Sequence, residues 1–108
     1  MLLTPFAADA TDSATASFVK KYQDAYGEVP NQFAADAYDC IYALYQACNN
    51  AGVTADMSSS DICDALIGQF TTMSFDGLTG AGMTWAKTGE VSKAPKAVVI
   101  QNGQYVGM

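Results

Sequence analysis

The chain has 108 residues, half of them hydrophobic and 15% charged, with a formal net charge of −6. That length suits one domain with a modest core, and that composition is too apolar for a disordered chain. Five Lys and no Arg cannot build the basic stripe that nucleic acid requires, the acidity disfavours anionic lipid, and no apolar run approaches the roughly 20 residues of a membrane span.

Met1–Phe6 is too short for a signal peptide and lacks the positive flank of one. It reads as the exposed end of a buried strand, and an export signal would have to lie upstream, so a piece of a longer protein is expected. Asp12 or Ser13 can cap a first helix that carries Phe18, Tyr22 and Tyr26 on one face, with Lys20, Lys21 and Asp24 on the wet side. Gly27 suits its left-handed end and Pro30 lies just beyond. Asn31 can cap a second helix whose buried stripe is expected to be Ala34, Ala37, Tyr38, Ile41, Leu44, Tyr45 and Cys48. Asp36, Asp39, Gln46 and Asn49 fall elsewhere. Ala35 and Tyr42 widen the apolar surface, so packing on more than one side is expected. A third helix opens at Ser58, where Asp61 completes a variant of the capping box, and it buries Ile62, Leu66, Ile67 and Phe70.

After Phe70 the texture changes to Gly, Thr and β-formers, and Lys87, Lys93 and Lys96 outnumber Asp76 and Glu90. Phe75–Gly80 reads as a turn-rich connector, Met83–Trp85 as a short strand and Lys87–Glu90 as a turn. Lys96–Gln101 is a strand, Asn102-Gly103 a strong hairpin signal, and Gln104–Val106 the return strand. Val98, Val99, Ile100 and Tyr105 then need a sheet or helix partner, because an isolated hairpin is marginal in water.

Reactive chemistry is sparse. With no His, neither a Ser-His-Asp nor a Cys-His arrangement exists within the chain. Gly77, Gly80 and Gly82 are wrongly spaced for a dinucleotide loop. Cys40, Cys48 and Cys63 make no metal-ligand spacing. Cys40 and Cys48 are too far apart along one helix to bond, a Cys48–Cys63 bridge stays open, and small buried hydrophobes is the favoured reading. Asp36 and Asp39 are read as solvated helix positions rather than a carboxylate pair. Asp61 and Asp64 sit near a helix N-terminus, where the dipole favours them, and Asp9 and Asp12 belong to a loop and a cap. Tyr22, Tyr26, Tyr38, Tyr42 and Tyr45 could form a stacking surface for sugars, but core packing is favoured. No catalytic residue, metal site or cofactor is expected. Phe33 stands apart at the first turn of the second helix. There it either fixes helix entry as a hydrophobic contact or flanks a small anionic or zwitterionic ligand beside free backbone N–H groups.

Taken in order, Phe18-Val19-Lys20-Lys21-Tyr22, Tyr26-Gly27-Glu28-Val29-Pro30-Asn31, Phe33-Ala34-Ala35-Asp36-Ala37-Tyr38-Asp39, Phe75-Asp76-Gly77-Leu78-Thr79-Gly80, Thr84-Trp85, Gly89-Glu90 and Ala97–Val106 form a pattern. It resembles the C-terminal region of type I periplasmic-binding-fold receptors, in the subgroup of the leucine/isoleucine/valine-binding proteins. The resemblance implies an α/β fold present in part: three helices, then short strands and a C-terminal β-hairpin. Such receptors have two lobes joined by three crossovers, with solute in the cleft between them. Residues 1–72 would belong to the first lobe, and 73–108 to the crossover and second lobe.

The implied function is solute binding, of an amino acid or similar, for an ABC importer whose permease receives the solute outside the cytoplasm. By similarity Phe33 faces the cleft, with Gln32 and Ala34 beside it, while the groups that read the α-amino and α-carboxyl ends lie mostly upstream. The isolated chain is expected to bind solute poorly and to self-associate or exchange strands. Two alternatives stay open: a signalling receptor's sensor with the same fold, and a small free-standing interaction module.

Overall fold

Side-chain caps set the start of each helix. The computed structural model describes residues 1–108. In α1 (Ser13–Tyr26) the Asp12 carboxylate accepts the Thr15 N–H at 2.9 Å, and this bond holds the Asp12 carboxyl below its ordinary pKa. Asn31 Oδ1 accepts the Ala34 N–H at 3.1 Å to open α2 (Gln32–Ala51). Ser58 Oγ accepts the Asp61 N–H at 3.1 Å to open α3 (Ser59–Phe70). Asp61 closes that cap differently from a Glu: its carboxylate takes the Ser58 hydroxyl at 2.7 Å.

The strands form two antiparallel groups. β1 (Leu2–Thr4), β4 (Lys96–Gln101) and β5 (Gln104–Gly107) make a sheet in the order β1-β4-β5. Asn102 and Gly103 both have positive φ, 51° and 78°, as a two-residue hairpin turn requires. Only Val98 of the hairpin is fully covered, while Ile100 and Tyr105 lie exposed. β1 is an edge strand with Leu2 and Leu3 exposed rather than buried.

β2 (Phe75–Gly77) and β3 (Gly80–Met83) form a separate hairpin, so the stretch read as a connector is itself a strand and turn. β3 starts and ends earlier than Met83–Trp85, because the Asp76 carboxylate accepts the Gly82 N–H at 2.7 Å and draws residues 80–83 against β2. Trp85 instead bridges Val91 across the Lys87–Glu90 turn.

The buried face of α2 differs from the expected stripe. Ala35, Asp39, Ala43 and Ala47 are buried, four residues apart, whereas Ile41 and Tyr45 are each 67% exposed. The cause is close approach: the β2–β3 hairpin lies directly on α2, and only small side chains leave it room. The larger apolar residues occupy a second face and stay largely exposed. Tyr26, Tyr38 and Tyr42 are likewise exposed rather than core, and the α3 face is half-buried at Ile62, Leu66 and Phe70 with Ile67 exposed. The cysteines are free. Cys40 and Cys63 are exposed and Cys48 half-buried, since Cys40 and Cys48 each fall one position past the small-residue face.

Two hydrophobic clusters line that face. One joins Ala43 and Ala47 to Met73, Phe75 and Met83; the other joins Ala35 to Phe6, Phe18 and Leu78. Between them sits Asp39, 5% exposed, and therefore not the solvated position expected of it. Its Oδ1 accepts the Leu78 N–H at 2.8 Å, while its Oδ2 accepts the Thr79 N–H at 2.8 Å and the Thr79 hydroxyl at 2.7 Å. Two turns along α2, Gln46 donates to the Ser74 carbonyl at 2.8 Å. A Cβ on Gly77 would fall 2.5 Å from Asp39 Oδ2, so only glycine admits the carboxylate at that point.

Gly77→Ala is expected to cost about 1–3 kcal/mol by overpacking. Asp39→Asn, which turns an amide N–H₂ toward a backbone donor, is expected to cost about 1–3 kcal/mol. Urea midpoints read both, and variants as stable as the parent sequence would show that the contact is dispensable.

Candidate functional site

The first turn of α2 carries the three residues singled out in the sequence, and they have three different surroundings. Gln32 is half-buried, and its Oε1 accepts the Thr4 hydroxyl at 2.6 Å, which ties the helix to the end of β1. Ala34 packs on the cluster of Phe6, Phe18, Ala35 and Leu78. Phe33 points away from both clusters and is 69% exposed. Its ring therefore does not serve as a hydrophobic support for helix entry. The cap takes the Ala34 N–H and the Asn31 carbonyl takes that of Ala35 at 3.3 Å. Helix geometry then leaves the N–H groups of Gln32 and Phe33 as the donors of this turn without an intrahelical acceptor.

One turn further on, Asp36 and Lys93 form an ion pair at 2.7 Å, with both side chains about one-third exposed or less. Asp36 and Asp39 thus serve separate partners and do not converge as a pair of carboxylates. Nor does any group of three or more His, Cys, Asp or Glu side chains converge on a point where a metal could sit. A hollow of about 170 Å³ lies between Leu3, Thr4 and Pro5 on one side and Lys93, Ala94 and Pro95 on the other. That is smaller than the roughly 300–1,000 Å³ of enclosed ligand sites. Within this chain the region can form one wall of a cleft, and it does not enclose a solute.

The tyrosines make a tilted stack along the helices, with ring centroids 4.9 Å apart for Phe18–Tyr38 and 4.7 Å for Tyr38–Tyr42. The neighbouring Tyr42 hydroxyl pushes the Tyr38 phenol above its ordinary pKa. Thr4 and Lys93 were not singled out in the sequence. The only local signal was the proline one or two residues away from each, which marks extended chain; nothing local reports contacts between residues 28 and 57 positions apart.

The model of the family described as "Periplasmic binding protein" matches residues 1–104. The chain belongs to that family. Among solved structures it is similar to a branched-chain amino acid ABC transporter protein from Rhodospirillum rubrum, at 28% identity and a TM-score of 0.72, over 99% of this chain and 30% of that one. It is also similar in fold to the leucine-binding protein LivK from Thermotoga maritima, at 23% identity and a TM-score of 0.73, over 98% and 29%. LivJ from Streptococcus pneumoniae, a branched-chain amino acid transporter binding protein solved with isoleucine, matches at 23% and 0.72, over 95% and 27%.

No curated protein matches in sequence. The chain thus spans under one-third of the length of these structures, and its architecture is the corresponding part of the type I periplasmic-binding fold. The family is one of binding proteins, and of these neighbours LivK is a leucine-binding protein and LivJ a transporter substrate-binding protein. No helix of this chain is long and apolar enough to cross a membrane.

Because Phe33 touches neither cluster, Phe33→Ala is expected to change stability by less than about 0.5 kcal/mol, as at other exposed positions. A urea-midpoint loss as large as that of a core residue would return Phe33 to a supporting role.

Proposed function

We propose that this chain forms one wall of the solute cleft of an extracytoplasmic binding protein that delivers an amino acid to an ABC permease. The observation that carries the reading is the exposed Phe33 on a turn whose neighbours are fixed, Gln32 by Thr4 and Ala34 by the core. An aromatic ring held on a rigid turn loses little conformational freedom when it covers an apolar ligand side chain. Membership of the periplasmic binding protein family supports the transport role. The amino-acid class is supported by the Rhodospirillum rubrum neighbour, whereas a more distant neighbour from Rhodopseudomonas palustris, solved with 3,4-dihydroxybenzoic acid, has a different ligand on the same fold.

The division into lobes is part of the same proposal. A boundary that follows the contacts fits better than one at residue 72, because Phe75 and Met83 pack on Ala43 and Ala47, and β1 pairs with β4. On this division residues 6–92 form one unit, and β1 with β4 and β5 belongs to the other. Solute would be trapped as the two close on each other. The uncovered apolar face at Ile41 and Tyr45, with β1 and β5 as open edges, supports self-association of the isolated chain.

Titration of the ¹⁵N-labelled chain with leucine, isoleucine or 3,4-dihydroxybenzoate is expected to move the amide signals of Thr4, Gln32, Phe33 and Ala34, with affinity no tighter than millimolar. Shifts elsewhere but not at these residues would reject the assignment. A micromolar Kd would reject the reading of the chain as a single wall. Sedimentation of the same samples is expected to show species larger than a monomer, and a monomer at all concentrations would reject self-association.

A further inference from the structure

The three-stranded sheet is joined to the rest of the chain by two passages that leave it side by side. Thr4 pairs with Lys96 at the last rung of the β1–β4 ladder. Pro5 follows the one and Pro95 precedes the other. Neither proline has an N–H to donate, so neither can extend the ladder as a donor, and the small hollow between the passages is what remains. Beyond that rung the sheet is held to the rest of the chain through side chains, among them the Asp9 carboxylate, which accepts the Gly107 N–H of β5 at 2.8 Å. Two of these contacts land on the same helix face, one turn apart: Thr4 on Gln32 at 2.6 Å, from the first passage, and Lys93 on Asp36 at 2.7 Å, from the second. They bracket Phe33. Phe6 also anchors the first passage, in the cluster with Phe18. The second passage, from Ser92 to Pro95, places no residue in either cluster, and Lys93–Asp36 is its side-chain tie to α2.

We infer that Lys93 and Asp36 are positioning residues, a latch that fixes the angle between the sheet and the turn bearing Phe33. The inference rests on the cleft reading for its meaning, since that angle would be the opening of the cleft, but the latch itself is testable with no solute present. Lys93 acts from outside the turn, and its hydrogen bond goes to Asp36 rather than to Phe33 or the donors beside it, so its loss would alter the opening and leave the ligand-facing groups in place. As an ion pair partly shielded from water it biases the angle and does not lock it.

Spin labels on Cys63 and on a Tyr105→Cys variant, with Cys40→Ser and Cys48→Ala, report the distance from α3 to β5 by electron–electron resonance. The labelled chain is diluted in excess unlabelled chain to remove intermolecular distances. Lys93→Met and Asp36→Asn are each expected to add a second distance population, changing the ratio of populations about two- to five-fold, the effect of a modest ion pair. Reversal of both charges (Asp36→Lys with Lys93→Asp) is expected to restore the parent distribution. Helicity by circular dichroism serves as the folding control. Single variants that keep their helicity and the parent distribution would overturn the latch, as would a double reversal no narrower than the singles. Failure of solute binding would leave these distances unchanged, so the two ideas fail separately.

Discussion

The Asp39 carboxylate is buried between two hydrophobic clusters with no cation on it, and hydrogen-bond donors from residues 78 and 79 are what satisfy it. A buried carboxylate left without donors is among the costliest features a small core can contain. Here two backbone N–H groups and one hydroxyl supply them, and charge-assisted bonds of this kind are stronger than neutral ones. The contact also answers a second need, because the N–H groups of Leu78 and Thr79 lie in the tight turn between β2 and β3 and are themselves buried. Each side solves the other's problem. The rest of the geometry follows: Gly77 must lack a side chain, α2 must show alanines, and Phe75, Leu78 and Met83 are drawn onto its two ends.

With α2 fixed along its small-residue face, its first turn has a defined direction. Gln32 and Ala34 face inward, to β1 and to the core, so Phe33 between them faces out. The same orientation leaves Ile41, Tyr42 and Tyr45 exposed. An exposed apolar stripe marks a surface for contact with other structure. It is in keeping with a chain that spans under one-third of the length of the structures it resembles.

Elements governed by local chemistry were legible in the sequence. Asp12, Asn31 and Ser58 cap where their side chains demand it, Gly27 ends its helix in the left-handed conformation, and Asn102-Gly103 turns the hairpin. What stayed hidden depended on distant partners. Hydrophobicity alone favoured the stripe through Ile41 and Tyr45 over the alanine face, because a periodicity reading weighs size and not the closeness of the neighbour. Asp39 looked solvated because its donors lie some 40 positions away. Phe33 stood out by its place in the first turn of α2, and Gln32 and Ala34 were named beside it only through the family pattern; Thr4 and Lys93 had only a nearby proline to mark them. The order Tyr38-Asp39 followed by Phe75-Asp76-Gly77-Leu78-Thr79-Gly80 is the pattern's physical content: a carboxylate and the turn built to receive it.

Hydrogen exchange at the Leu78 and Thr79 amides tests the anchoring role of Asp39 most directly. If the carboxylate joins the two clusters, both amides exchange only through global opening in the parent chain, and Asp39→Asn accelerates them together with the amide of Met83. Exchange at Leu78 and Thr79 as fast as at Gly89, in the exposed turn before Glu90, would contradict the account.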